Sequence, residues 1–167
     1  MEAEVGLAQT KAVIVSHAPE QTQEIGRVLG IQAKPGYVYL LVGELGVGKT
    51  CLTQGVLWGL GSTEFARSPT FVLVAKYQGR LTLNHIDLYR VGNESETVDL
   101  GLSDVVEGDG VTVVEWADRA KYFQDIEHLE VRMEHVGEST RRLTLSTKWQ
   151  VYQHVVSAAQ ALFTQEE

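Results

Sequence analysis

Gly43-Glu44-Leu45-Gly46-Val47-Gly48-Lys49-Thr50 is the stretch that decides the fold. The eight residues match G-x-x-x-x-G-K-[ST] in full, and each fixed position has a physical task. Glycines admit backbone angles closed to other residues and leave room for N–H groups to converge on phosphate oxygens. Lys49 brings a mobile positive charge to the β- and γ-phosphates of a nucleotide, and Thr50 offers a hydroxyl to Mg²⁺. The N–H groups that open the following helix favour an anion as well. This pattern also arises by chance in unrelated chains, so its flanks carry weight. Upstream, Pro35-Gly36 marks a turn and Tyr37 to Val42 is continuously apolar, as in a parallel strand buried on both faces. Downstream, Leu52, Val56 and Leu60 line one face of a helix that starts near Lys49, with Gly61 as its C′ residue.

Outward from this unit the pattern predicts more strands and helices. Lys11 to Val15 reads as a strand, and Pro19 opens a helix that buries Ile25, Val28 and Leu29 and ends at Gly30. Phe71–Tyr77 and Leu81–Ile86 form a hairpin over Gln78-Gly79-Arg80, and a short helix is expected from Glu94 to Leu100. Val111 to Val114 is another buried strand. Leu129 to His135 and Leu143 to Thr147 make a second hairpin around Gly137–Thr140. Trp149, Tyr152, Val155, Val156, Ala159, Leu162 and Phe163 mark one face of a closing amphipathic helix. The expected architecture is a three-layer α/β domain of P-loop NTPase type, with a mixed, mainly parallel central sheet and inserted hairpins. One domain is expected over residues 1–167, with about 148–167 as a C-terminal helical extension.

Composition narrows the function classes. The chain has 167 residues, 44% of them apolar and 22% charged, ordinary for a globular domain. No apolar run approaches the roughly 18 to 20 residues that span a bilayer, and no secretory leader is legible, so a cytoplasmic protein is expected. A single cysteine, Cys51, excludes an internal disulfide framework. Fourteen basic residues against 22 acidic ones give a net charge of −8, which disfavours a direct grip on nucleic acid. The five histidines show no zinc-ligand spacing.

A P-loop needs acidic company, because Mg²⁺ takes oxygen ligands. Two strands end in carboxylates: Asp87 after Leu-Thr-Leu-Asn-His-Ile, and Glu115 after Val-Thr-Val-Val. Both fall at the carboxyl edge of the sheet, where open α/β folds bind ligands.

Four motifs in order resemble one family. They are Gly43 to Thr50, Ser68-Pro-Thr-Phe71, His85-Ile-Asp-Leu-Tyr-Arg90 and Glu115-Trp116. Over roughly Thr22 to Arg142 the chain resembles TsaE (formerly YjeE), the bacterial ATPase of tRNA threonylcarbamoyladenosine biosynthesis. The resemblance implies Thr50 and Glu115 as Mg²⁺ ligands, with Asp87 in a Walker-B-like position that organises metal, water or both. It implies Thr70 in a switch-like loop near the γ-phosphate, Trp116 packed beside the site, and Arg141, next to Arg142, near the nucleotide. It also implies ATP and Mg²⁺ as cofactors and TsaB- and TsaD-like subunits as partners, with tRNA met only through them. Cys51 departs from the threonine that members often carry there, at a position facing the helix rather than the metal.

Three other readings share the P-loop. A small-molecule kinase usually brings an arginine-rich lid, yet Arg90 is the only arginine between Asp87 and Glu115. A GTP switch needs Asn-Lys-x-Asp, whereas Asn84 and Asn93 are followed by His and Glu. A module that senses ATP without cleaving it differs from an ATPase only in turnover. The expected activity is weak ATP hydrolysis, with Lys49, Asp87, Thr70 and Glu115 as the catalytic candidates.

Overall fold

The structure is a computed structural model and describes residues 9–69, 73–92 and 101–164. Its centre is a seven-stranded sheet in the order β1-β7-β6-β2-β5-β4-β3. The strands are β1 (Thr10–Ser16), β2 (Val38–Gly43), β3 (Val74–Tyr77), β4 (Leu83–Asp87), β5 (Val111–Glu115), β6 (Leu129–His135) and β7 (Arg141–Thr147). The four central strands β6, β2, β5 and β4 run parallel, while β1, β7 and β3 add antiparallel pairings at the flanks. The expected mixed sheet with a parallel centre and two hairpins is the one observed.

Helices cover both faces, because β2 buries alternate residues on each. Tyr39 and Leu41 join a core with Ile25 and Leu29 of α1 (Pro19–Gln32), Leu52 and Val56 of α2 (Lys49–Gly59), and Val155 and Ala159 of α5 (Gln153–Thr164). Val38, Leu40 and Val42 join the opposite core, with Leu102 and Val106 of α3 (Leu102–Val106) and Phe123 of α4 (Lys121–Asp125). These are the three layers the sequence predicts. Tyrosine hydroxyls tie the C-terminal segment to the sheet. Tyr37 donates to the Val151 carbonyl at 2.8 Å, and the Val38 amide donates to the Tyr152 hydroxyl at 2.9 Å. Burial pushes the Tyr152 phenol up to about 12, so it stays a neutral hydrogen-bonding group.

Some boundaries differ from expectation. α1 continues past Gly30 to Gln32, and α3 and α4, of five residues each, were too short to show a period. Trp149 precedes a 3-10 turn over Gln150–Tyr152, and the closing α-helix starts only at Gln153. The expected helix from Glu94 to Leu100 and the start of the first hairpin at Phe71 lie outside the described residues. Gly61 does close α2: it is left-handed, at φ 80°, and its amide donates to the Trp58 carbonyl at 2.9 Å.

Gly30 belongs to a seam rather than a helix end. Gly26 and Gly30 of α1 face Gly55 and Gly59 of α2, at i, i+4 spacing on both helices. A β-carbon on Gly26 would meet the Leu52 carbonyl oxygen at 2.2 Å, and one on Gly55 would meet that of Gln23 at 2.1 Å. The two backbones are therefore in direct contact, and this contact fixes α2, whose first turn carries Lys49 and Thr50. In an open helix Gly→Ala stabilises by up to about 1 kcal/mol. Here the sign reverses. Gly55→Ala is expected to destabilise by about 1–3 kcal/mol, as overpacking does, lowering the melting temperature by about 2–4 °C per kcal/mol. Thermal melting followed by circular dichroism checks this, and a rise in the midpoint would contradict the seam.

Candidate nucleotide-binding site

The loop from Gly43 to Gly48 leaves the carboxyl end of β2 and runs straight into α2. Gly46 and Gly48 are left-handed, with φ of 77° and 115°, conformations that side chains strongly disfavour. Gly43 is needed for room, since a β-carbon there would sit 2.6 Å from the Met133 carbonyl oxygen. Val47 is buried in the core and anchors the loop from below, whereas Leu45 is 71% exposed at its crest. The Val47 amide donates to the Glu44 carbonyl at 3.2 Å, which closes the loop on itself. Gly48 is the N-cap of α2 and supplies no side-chain cap, which leaves the first-turn amides open to an anion.

Lys49 folds back over this loop. Its ammonium donates to the Gly43 carbonyl at 2.6 Å and the Glu44 carbonyl at 2.8 Å, and it lies 4.1 Å from the centre of the Trp116 ring. Burial lowers its pKa, and Glu115, Asp87 and Asp118 push it back up. The carboxylates thus help to keep a cation in a site where only 5% of the lysine meets solvent.

Asp87 and Glu115 end the neighbouring parallel strands β4 and β5 and are direct partners in register. Both are buried, on the sheet face that carries α2. Thr50 Oγ1 lies 3.2 Å from each Glu115 carboxylate oxygen. His85, two residues before Asp87, contacts Glu115 Oε2 through Nε2. Asp87 accepts from Ser68 Oγ at 2.7 Å and from the Tyr89 amide at 2.9 Å. Thr50, Glu115 and Asp87 form a set of hard oxygen donors. Among the described residues no three His, Cys, Asp or Glu side chains gather into a protein-only metal cage.

Trp116 follows Glu115 in a left-handed conformation, φ 60°, which turns the chain sharply off the strand and swings the indole beside Lys49. Tyr89 packs against the indole at 5.0 Å, and the Arg119 guanidinium lies 5.3 Å from both rings. Together Gly48, Lys49, Thr50, Asp87, Glu115 and Trp116 help to line a cleft of about 310 Å³. A second cleft of about 280 Å³ adjoins it across Gly46, Gly48 and Cys51, and is bordered by Thr22, Ser139 and Arg141.

The structure thus brings together nearly every residue singled out in the sequence. Arg141 reaches the loop from β7: its Nε donates to the Val47 carbonyl at 3.0 Å, and its Nη1 to carbonyls of the β6–β7 turn. Thr70 lies outside the described residues, although its neighbour Ser68 is on Asp87. Tyr89, Arg119 and the Ser68 contact were missed. Tyr89 and Ser68 both stand inside the quoted motifs, and Tyr89 is two residues from Asp87, which are the signals the sequence offers for them. From its place just before Asp87, the sequence reads His85 by default as packed or solvated, with a site role as the lesser alternative; the structure puts it on Glu115.

A glycine loop between a buried parallel strand and a helix, with a lysine, a threonine and two strand-end carboxylates converging on it, defines a nucleotide-binding, ATPase-type P-loop protein. Comparison with known proteins narrows the class. The model of the family described as threonylcarbamoyl adenosine biosynthesis protein TsaE matches residues 16–143. The chain is 41% identical over 129 residues to a Bacillus subtilis protein named tRNA threonylcarbamoyladenosine biosynthesis protein TsaE, covering 77% of this chain and 80% of that one. A Treponema pallidum protein of the same name is 44% identical over 105 residues, 63% of this chain and 78% of its own. The crystal structure of YdiB from Bacillus subtilis superposes with a TM-score of 0.79 at 30% identity, over 92% of this chain and 97% of that one. The chain belongs to the TsaE family.

Proposed function

We propose that this chain binds Mg·ATP, hydrolyses it weakly, and serves the threonylcarbamoylation of tRNA adenosine as a subunit working with TsaB- and TsaD-like partners. The observation that carries the reading is the convergence of Lys49, Thr50 and Glu115 on one glycine loop. The names of the relatives support the pathway. Residues 1–167 act as one ATPase domain in this reading, with the C-terminal helix as its packing extension.

The loop amides from Gly43 to Thr50 and the Lys49 ammonium take the phosphates, replacing the two carbonyls that Lys49 now holds. Thr50, Glu115 and Asp87 would hold Mg²⁺; their oxygens suit a hard cation that keeps several waters and shares phosphate oxygens instead of demanding a full protein cage. When bound, the ion supplies charge neutralisation on the phosphates. Asp87, fixed by Ser68 and the Tyr89 amide, orients the attacking water, with Thr70 as the second candidate for that role. Trp116 shields the Lys49 side of the cleft from water. The base and ribose occupy the second cleft, where Arg141 serves the nucleotide by bracing the Val47 carbonyl. The net charge of −8 leaves tRNA to the partner subunits.

Two measurements test this. The purified chain is expected to turn over ATP well below the ~1–100 s⁻¹ typical of kinases, with turnover rising and ATP-dependent co-purification appearing when the partner subunits are added. Kinase-like turnover of the chain alone, or indifference to the subunits, would contradict the reading. Cys51 borders both clefts and is the only thiol, with a pKa raised by burial and by Glu20. Mg·ATP is therefore expected to slow its alkylation at least several-fold, and an unchanged labelling rate would remove the base from the second cleft.

A further inference from the structure

His85 has no place in the phosphate-binding apparatus, yet it is completely buried in the middle of β4. Strand neighbours Ala75 and Val113 flank it in register, surroundings that suit an apolar side chain. Its Nδ1 is the one buried side-chain nitrogen or oxygen without a hydrogen-bond partner among the described residues. An orphaned buried polar atom is a cost that leucine at the same position would avoid. Something on the other side of the ring must offset it, and that side holds Glu115.

An ionised Glu115 is acceptor-only, so the ring nitrogen that meets it must carry the proton. Nε2–H therefore donates to Glu115 Oε2, and Nδ1 is the ring nitrogen left without a partner. Glu115 in turn has both oxygens within reach of the Thr50 hydroxyl. The carboxylate is thus gripped from behind by an immobile ring and faces Thr50 in front. Carboxylates that hold a cation are themselves held by hydrogen-bonding partners one step removed, and those partners orient them.

We infer that His85 is a positioning residue that fixes the Glu115 carboxylate for the cation that accompanies the nucleotide. The inference rests on the proposed Mg·ATP reading and goes beyond it by assigning the residue that holds the ligand in place. His85 touches neither nucleotide nor cation. Its effect falls on the part of the affinity that depends on Mg²⁺ and leaves metal-free binding untouched.

Chain geometry offers a sharp test. The amide nitrogen of glutamine reaches the place of Nε2, whereas that of asparagine reaches only the place of Nδ1. Affinity for ATP is measured by calorimetry with Mg²⁺ and with EDTA on wild type, His85→Gln, His85→Asn and His85→Leu, alongside melting curves. Gln is expected to keep Mg·ATP affinity within about threefold of wild type. Asn and Leu are expected to lose about 10–100-fold, the usual range for a partner one step behind a metal ligand, with affinity in EDTA unchanged in all three. Equal affinities in the folded variants, equal losses with and without Mg²⁺, or loss of folding in all three would overturn the inference and leave His85 a core residue. If wild type itself shows no Mg²⁺-dependent binding, the nucleotide reading fails and takes this inference with it. If wild type binds and the variants match it, only the inference fails.

Discussion

A lysine ammonium lodged on the carbonyls of Gly43 and Glu44 is the interaction on which the rest of the structure turns. It exists because the chain from β2 to α2 curls into a loop with left-handed Gly46 and Gly48, so that amides gather on one side and carbonyls remain for the lysine. Such a loop has little stability of its own. It is held from below by buried Val47, from the side by Arg141 on the Val47 carbonyl, and at its helical end by α2. The glycine seam clamps α2 to α1 with backbones in contact. A displacement of that helix would carry Lys49 and Thr50 away from the strand-end acids.

Charge is arranged around the same point. Lys49 is buried, which penalises its cation, and Glu115, Asp87 and Asp118 offset that penalty. Trp116 contributes the face of its indole, and it can do so because a left-handed residue ends β5. The acids are themselves committed: Glu115 to Thr50 and His85, Asp87 to Ser68 and the Tyr89 amide. Both strand-end acids are thus fixed in place. Among the described residues no helix is long and apolar enough to cross a membrane.

Local chemistry was legible in the sequence. The loop, its buried strand and its helix are contiguous, so composition alone exposed them, and the strand-end positions of Asp87 and Glu115 followed from counting along apolar runs. What escaped was non-local. Strand order places β6 and β5 on either side of β2, and nothing in the period of a strand names its neighbour. Gly30 looked like a helix terminator because glycine usually is one there; only the approach of α2 makes it part of a contact surface. Gly26, Gly55 and Gly59 passed unnoticed for the same reason. Trp116 was found through its motif, but the turn that aims its ring, and the Arg119 and Tyr89 stacked on it, depend on a left-handed residue that no propensity predicts for tryptophan.

The account stands on Lys49 and the loop amides jointly compensating a triphosphate. Titration calorimetry of ATP with Mg²⁺ into wild type and Lys49→Ala tests that most directly. Clear binding by wild type is expected, with a loss of at least about tenfold, about 1.4 kcal/mol, in the folded variant. Equal heats from both proteins, or none from wild type, would contradict it.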